Sequence, residues 1–294
     1  MVIDTHHHFW TYGTRQTLWM DSPPYVADSS LLPIRQSFRP YDLIPHLRNA
    51  GVQATILVEA VDGEAENESL LSDLQDNSWI VGVVGWVPLQ NPARVDSILS
   101  RFVTQRKLVG IRHLINIEPD PDWIIRDDVI DGLRVVAQHD RTFDDVAILP
   151  RHLQHVPFLA ERVPRLRIVI DHLGKPPIGS GSFEPWGSLL ARAAAAPNVF
   201  AKISGLDVGR TDKWSAADLA PYVDHALHVF GPDRLMFVSD WPVALLRGGY
   251  AKVWRETQGL LYSLPENDRR RILGGTAVEA YRLDRAILPD SIPA

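Results

Sequence analysis

Short apolar runs rich in Val and Ile recur along this chain, separated by longer stretches of helical period. Eight runs read as strands, over residues 2–6, 54–58, 80–86, 108–114, 143–149, 167–172, 199–204 and 235–240. Most are nearly continuous in apolar character, the pattern of parallel strands covered on both faces. Helical spacing predicts helices over 41–50, 65–75, 92–105, 128–139, 150–163, 186–195, 216–230 and 251–261. A last helix, over 265–283, follows the eighth unit and can pack on the outside. Asn91-Pro92 and Ser215 are entry signals, and Gly51 and Gly231 are exits.

Strand and helix alternate eight times without a break in composition. The expected fold is therefore α/β, a single (β/α)8 barrel domain over residues 1–294. An open doubly wound sheet is the rival, but no Gly-rich phosphate turn follows a strand. The first βα connection is long. From Phe9 to about Arg39 it carries Trp10, Tyr12, Trp19, Pro23, Pro24 and Tyr25, so it could cover the barrel mouth with aromatic walls.

Composition narrows the chemistry. The absence of cysteine excludes disulfides, thiol nucleophiles and zinc-thiolate sites. A net charge of −6 with no recurring basic stripe argues against nucleic acid as a partner. Arg269-Arg270-Arg271 reads as a solvated helix face. No apolar stretch approaches the ~18 residues of a membrane span, and no signal-peptide pattern opens the sequence. The expected setting is the cytoplasm, and the expected partner is a small molecule. The oligomeric state is not legible.

In a (β/α)8 barrel the active site lies at the C-terminal ends of the strands. That rule selects His6 and His8, Arg112 and His113, Asp171 and His172, Lys202 and Ser204, and Asp240. Strict alternation would put Asp4, His6 and His8 on one side of the first strand, and Thr5 and His7 on the other. Polar groups of this kind are costly to bury without partners or work to do. The spacing of His6 and His8 suits two ligands to one metal, or two donors to one oxyanion. Asp240 closes a very apolar run and, ionised, could ligate a metal or act as a general base. Arg112 could clamp a carboxylate or hydroxylated substrate, and strand phase decides whether it or His113 faces inward. Lys202 reads either as a substrate contact or as a lysine reaching solvent. Trp10 and Trp241 offer ring faces that suit a pocket wall, whereas Trp86 reads as core. A Ser-His-Asp hydrolase is excluded by the lack of a Gly-x-Ser-x-Gly elbow, and no spacing supports Glu59 and Asp240 as a glycosidase pair.

Six segments together resemble the amidohydrolase superfamily, in particular its amidohydrolase-2 branch of sugar-lactone hydrolases. They are Asp4-Thr5-His6-His7-His8-Phe9-Trp10, Gly82-Val83-Val84-Gly85-Trp86-Val87, Gly110-Ile111-Arg112-His113, Glu118-Pro119-Asp120-Pro121-Asp122-Trp123, Asp171-His172-Leu173-Gly174-Lys175-Pro176 and Ser239-Asp240-Trp241-Pro242. The resemblance implies a barrel that opens lactones, similar to L-fuconolactonases and L-rhamnonolactonases. It is also similar to pyrone-dicarboxylate lactonases, which require no metal. By motif position, His6, His8, His172 and Asp240 inherit the superfamily's site roles and are the expected catalytic residues; Arg112, His113, Trp10, Lys175 and Trp241 are the expected substrate contacts. The fourth strand ends in Ile111-Arg112-His113, and the fifth reads Phe143-Asp144-Asp145-Val146-Ala147-Ile148. Neither supplies the bridging group or imidazole of binuclear relatives. The expectation is no obligatory cofactor, or one divalent metal such as zinc held by His6, His8 and Asp240. The expected reaction is hydrolysis of a sugar-acid lactone, with Asp240 activating water. A metal-dependent decarboxylase, a barrel phosphoesterase and a non-catalytic sugar-acid-binding barrel are the alternatives.

Overall fold

Eight parallel strands follow one another around a single sheet in chain order, which establishes the (β/α)8 barrel in the computed structural model. The structure describes residues 1–102, 107–179, 182–206, 209 and 211–292. The strands are β1 (Ile3–His7), β2 (Ala54–Val58), β3 (Ile80–Gly85), β4 (Leu108–His113), β5 (Thr142–Asp145), β6 (Arg167–Ile170), β7 (Val199–Lys202) and β8 (Leu235–Met236). The main helices are α1 (Pro40–Ala50), α2 (Glu64–Asp76), α3 (Pro92–Arg101), α4 (Asp127–Gln138), α5 (Pro150–Arg162), α6 (Trp186–Ala194), α7 (Ala216–Phe230) and α8 (Tyr250–Leu261). The end expected for the third helix, within 103–106, lies outside the described residues.

Local chemistry sets the helix ends as anticipated. The Asn91 side chain accepts from the Arg94 amide at 3.1 Å, and Ser215 and Asp218 cap α7 reciprocally. Gly51 ends α1 with φ 66°. Strands β3 to β8 all end before their predicted runs do, and β5 and β8 stop four residues short. β5 stops at Asp145, before Val146–Leu149 turns toward α5, and β8 gives way after Met236 to irregular chain. The barrel still closes between its ends, because Thr5, Asp240 and His8 amides donate to the carbonyls of Phe237, His6 and Trp241 at 3.2, 2.9 and 2.7 Å.

Alternation fails in β1. Asp4 pairs with Thr55 but His7 pairs with Leu57, so three steps on β1 oppose two on β2. Asp4 therefore parts from His6 and His8. Its carboxylate accepts from the Ser239 amide at 2.8 Å and from the Tyr250 hydroxyl of α8 at 3.1 Å. The long first connection is also more ordered than expected. It holds two 3-10 helices, Leu18–Asp21 and Ser29–Ile34, and is tied at its base by a Trp10–Phe38 bridge.

A large apolar cluster fills the space between strands and helices, and a second lies inside the barrel. The predicted last helix is interrupted: Glu266–Arg270 and Thr276–Ala280 flank a π-helical turn, Arg271–Gly275. It does not pack on the outside. Ala277, Val278, Ala280 and Tyr281 join Ile3, Ala54, Val109 and Met236, so this segment plugs the N-terminal end of the barrel. Burial of those apolar side chains is the physical reason it turns inward. No helix among the described residues is long and apolar enough to cross a membrane.

Candidate active site

Three imidazoles surround one carboxylate oxygen at the C-terminal ends of the strands. Oδ1 of Asp240 lies 3.8 Å from His8 Nε2, 3.8 Å from His172 Nε2 and 4.0 Å from His6 Nε2. These four residues come from β1, from the residue just after it and from the segments after β6 and β8, and all are buried. Asp240 and His172 both have left-handed backbone, with φ of 58° and 49°. Non-glycine residues seldom adopt it, and strain held at convergent polar groups commonly marks a functional site. Gly205, with φ 68°, passes between them; a Cβ there would stand 2.6 Å from His172 Nδ1 and 2.8 Å from Asp240 Cβ.

Hydrogen bonds fix the orientation of two imidazoles. His8 Nδ1 faces the Val58 carbonyl at 2.9 Å, and His172 Nδ1 faces the Ser204 carbonyl at 3.2 Å. A carbonyl can only accept, so each Nδ1 carries the hydrogen and each Nε2 presents a lone pair to the site. Burial, aided by Arg112 for His8 and by Lys175 for His172, pushes both pKa values down to about 4. Both rings are then neutral near pH 7. Burial opposes ionisation of Asp240, yet His172, Arg247, His6 and Lys175 hold its pKa below the usual carboxylate range.

His6 sits among charges. Its Nδ1 is 3.3 Å from Asp171 Oδ1 and 3.1 Å from Lys202 Nζ, while Nε2 is 3.0 Å from His8 Nε2. Asp171 faces Lys202 at 2.8 Å and Arg112 at 3.4 Å; burial opposes its ionisation, but Lys202 and His6 outweigh it and hold its pKa well below the usual carboxylate range. A carboxylate behind an imidazole fixes its tautomer and raises its basicity, the arrangement commonly found behind metal-bound histidines.

Other expected residues have different partners. Arg112 faces inward, but Nε pairs with Glu59 Oε1 at 2.7 Å, Nη2 with the Glu59 carbonyl, and Nη1 with His6 and Asp171. It orders the cluster rather than presenting a free fork to a substrate. His113 is not brought to the cluster. It stacks on Trp123 at 4.2 Å, accepts from Trp86 Nε1 at 3.0 Å and meets Glu118 at 2.8 Å. Adjacent strand residues face opposite ways, which separates it from Arg112. Trp241 is likewise packed away, edge-on to Phe9 and Phe38 with 1 % of its surface exposed. Trp10 does border the site: its ring lies 6.4 Å from that of His8, and its Nε1 donates to the Gln36 carbonyl. Lys175 is half-buried at the rim, near enough to bias both His172 and Asp240.

Sequence reasoning missed Arg247, whose Nη2 donates to Asp240 Oδ2 at 2.8 Å. A single arginine in Val243-Ala244-Leu245-Leu246-Arg247 was the available signal. It also missed the role of Lys202, which reaches neither solvent nor an open pocket. That ammonium is fully buried between Asp144 at 2.7 Å and Asp171.

The donor set fits one divalent ion. Ligand atoms of His6, His172 and Asp240 lie within 4.8 Å of one another, so His172 joins the set expected from His6, His8 and Asp240. Two neutral imidazole lone pairs and a carboxylate converge there, as a cation requires. The charge of Lys202 lies on the opposite, Nδ1 side of His6, whereas Arg112 Nη1 approaches the site-facing Nε2 at 3.2 Å.

Residues 3–283 match the amidohydrolase family model. The chain is 36 % identical over 288 residues to L-fucono-1,5-lactonase of Burkholderia ambifaria, covering 96 % of each. A shorter match, 26 % identical over 42 % of this chain and 43 % of the other, is to L-rhamnono-gamma-lactonase of Scheffersomyces stipitis. The crystal structure of an amidohydrolase from Burkholderia multivorans with bound zinc superposes with a TM-score of 0.85. It is 30 % identical, with 97 % of this chain and 100 % of that one covered.

Proposed function

The chain belongs to the amidohydrolase family, and on that premise we propose that it is a lactonase opening a sugar-acid lactone to the hydroxy acid. The observation that carries this reading is Asp240 Oδ1, ionised and 3.8–4.0 Å from three inward-facing imidazole nitrogens. Similarity to L-fucono-1,5-lactonase over almost the whole chain supports the substrate class.

Asp240 takes a proton from water at Oδ1 as the water oxygen adds to the lactone carbonyl carbon. The carbonyl π electrons move to oxygen, giving a tetrahedral oxyanion. Its collapse breaks the ring C–O bond, and the departing alkoxide takes back the proton from Asp240. Lactone plus water becomes hydroxy acid. General-base assistance of this kind supplies about 100- to 10,000-fold.

His172 has its one N–H committed to the Ser204 carbonyl, which leaves it no hydrogen to donate to the oxyanion. His8 is committed likewise to Val58. Their roles are those of ligands, and His6, His8, His172 and Asp240 would hold one divalent ion, with zinc the candidate. Such an ion supplies Lewis-acid polarisation of the carbonyl. Lys175 adds positive charge at the rim. Trp10 offers an apolar wall beside His8.

The test is a pH-indicator hydrolysis screen over aldonolactones, run with and without chelator. Acid release from a six-carbon sugar lactone is expected. Carbon dioxide release from an aromatic acid, or tight lactone binding without turnover, would overturn the reading.

A further inference from the structure

Resting on the assignment of Asp240 as the reacting carboxylate, we infer that Arg247 is its positioning residue. It pins one carboxylate oxygen so that the other faces the imidazoles. Arg247 touches none of the atoms assigned to the reaction and acts only through Asp240.

The geometry divides the carboxylate cleanly. Oδ2 accepts from Arg247 Nη2 at 2.8 Å, whereas Oδ1 is the oxygen that approaches His6, His8 and His172. A carboxylate rotates easily about its Cβ–Cγ bond, and its two oxygens are chemically equivalent until something distinguishes them. A buried charge-assisted hydrogen bond does so.

The arginine is itself held. It ends a 3-10 helix, Val243–Arg247, whose Ala244 amide donates to the Asp240 carbonyl at 2.8 Å. Its own carbonyl accepts from Trp214 Nε1 at 2.8 Å, and only 5 % of the residue is exposed. Gly205, which lines the same small cavity as Arg247, runs so close to Asp240 that a Cβ there would stand 2.8 Å from Asp240 Cβ. Among the described residues Nη1 of Arg247 has no hydrogen-bond partner, and Arg247 lines that small cavity with Ser204, Trp214, Leu219 and Thr257. Among the described residues, the guanidinium's one side-chain hydrogen bond is therefore to Asp240.

The experiment compares Arg247→Met, Arg247→Lys and Asp240→Asn with Asp240→Asn/Arg247→Met, by lactone kinetics and by crystal structures of the wild type and Arg247→Met. Misplacing a reacting group by about 1 Å costs about 100-fold, so Arg247→Met should lose roughly that in kcat while KM changes little. Arg247→Lys should recover part of the loss, and guanidinium ion added to Arg247→Met should also restore rate. In the Asp240→Asn background the second substitution should cost nothing further, because the two act as one unit. The Arg247→Met crystal structure should show the carboxylate turned, with neither oxygen in its wild-type place.

A carboxylate that keeps its orientation without Arg247 overturns the inference, whatever the rates. So does full additivity of the two substitutions. If the wild type opens no lactone but the carboxylate turns in Arg247→Met, the proposed reaction fails and the positioning role stands.

Discussion

Lys202 Nζ lies 2.8 Å from Asp171 Oδ1 inside the barrel, and neither side chain reaches solvent. The same ammonium holds Asp144 at 2.7 Å, which also accepts from the Tyr281 hydroxyl at 2.7 Å. One cation thus joins β7, β5, the segment after β6 and the C-terminal plug. Lys202→Met should cost about 3–5 kcal/mol, because removing one partner strands buried carboxylates. Urea unfolding measures it. A loss below about 1 kcal/mol would mean that the carboxylates are neutral without the lysine.

Asp240→Asn should reduce kcat by about 100- to 10,000-fold while the fold persists, since the amide keeps the shape but cannot take the proton. Circular dichroism and lactone kinetics together check this. Wild-type turnover in a folded Asp240→Asn protein rejects Asp240 as the base.

Gly205→Ala should separate His172 from Asp240, given the contacts of 2.6 and 2.8 Å that a Cβ would make. The left-handed backbone adds strain of about 1–2 kcal/mol. The rate should fall by about 100-fold, beyond what the modest drop in stability explains. Unchanged kcat would show that the pair tolerates parting.

One metal equivalent should bind to the wild type, and zinc should raise its thermal midpoint. Saturation at 100 times the dissociation constant is worth about 2.7 kcal/mol. His172→Asn should lose most of that shift, which scanning calorimetry reads independently of activity. An equal zinc shift in both proteins would place the ion elsewhere.

Asp145 predicts a pH dependence of stability. Among the described residues both its buried oxygens lack a hydrogen-bond partner; burial, reinforced by Asp171 and Asp144, pushes its pKa up to about 8. The folded protein then holds this proton more tightly than the unfolded chain, whose group titrates near 3.8. Its contribution is fullest below that ordinary value and is lost as pH rises toward the folded one. Asp145→Asn should flatten the decline and raise the thermal midpoint at pH 8, by roughly 2–4 °C for each kcal/mol recovered. Parallel melting curves from pH 4 to 9 would show that Asp145 is not a buried neutral acid.

Periodicity alone determined the barrel, its strand order and the rim on which chemistry should gather, because alternating βα units have few ways to bury two apolar faces. It also marked His6, His8, His172 and Asp240, since polar groups at the ends of apolar strands stand out against their neighbours. What pattern could not specify was direction. The β1 bulge removed Asp4 from the histidines, the plug turned into the barrel, and Trp241 folded into the aromatic core. Each outcome depends on contacts between residues far apart in the chain, such as Asp4 with Tyr250 and Lys202 with Asp171. Such contacts leave no local period, so only the folded chain decides which charge meets which.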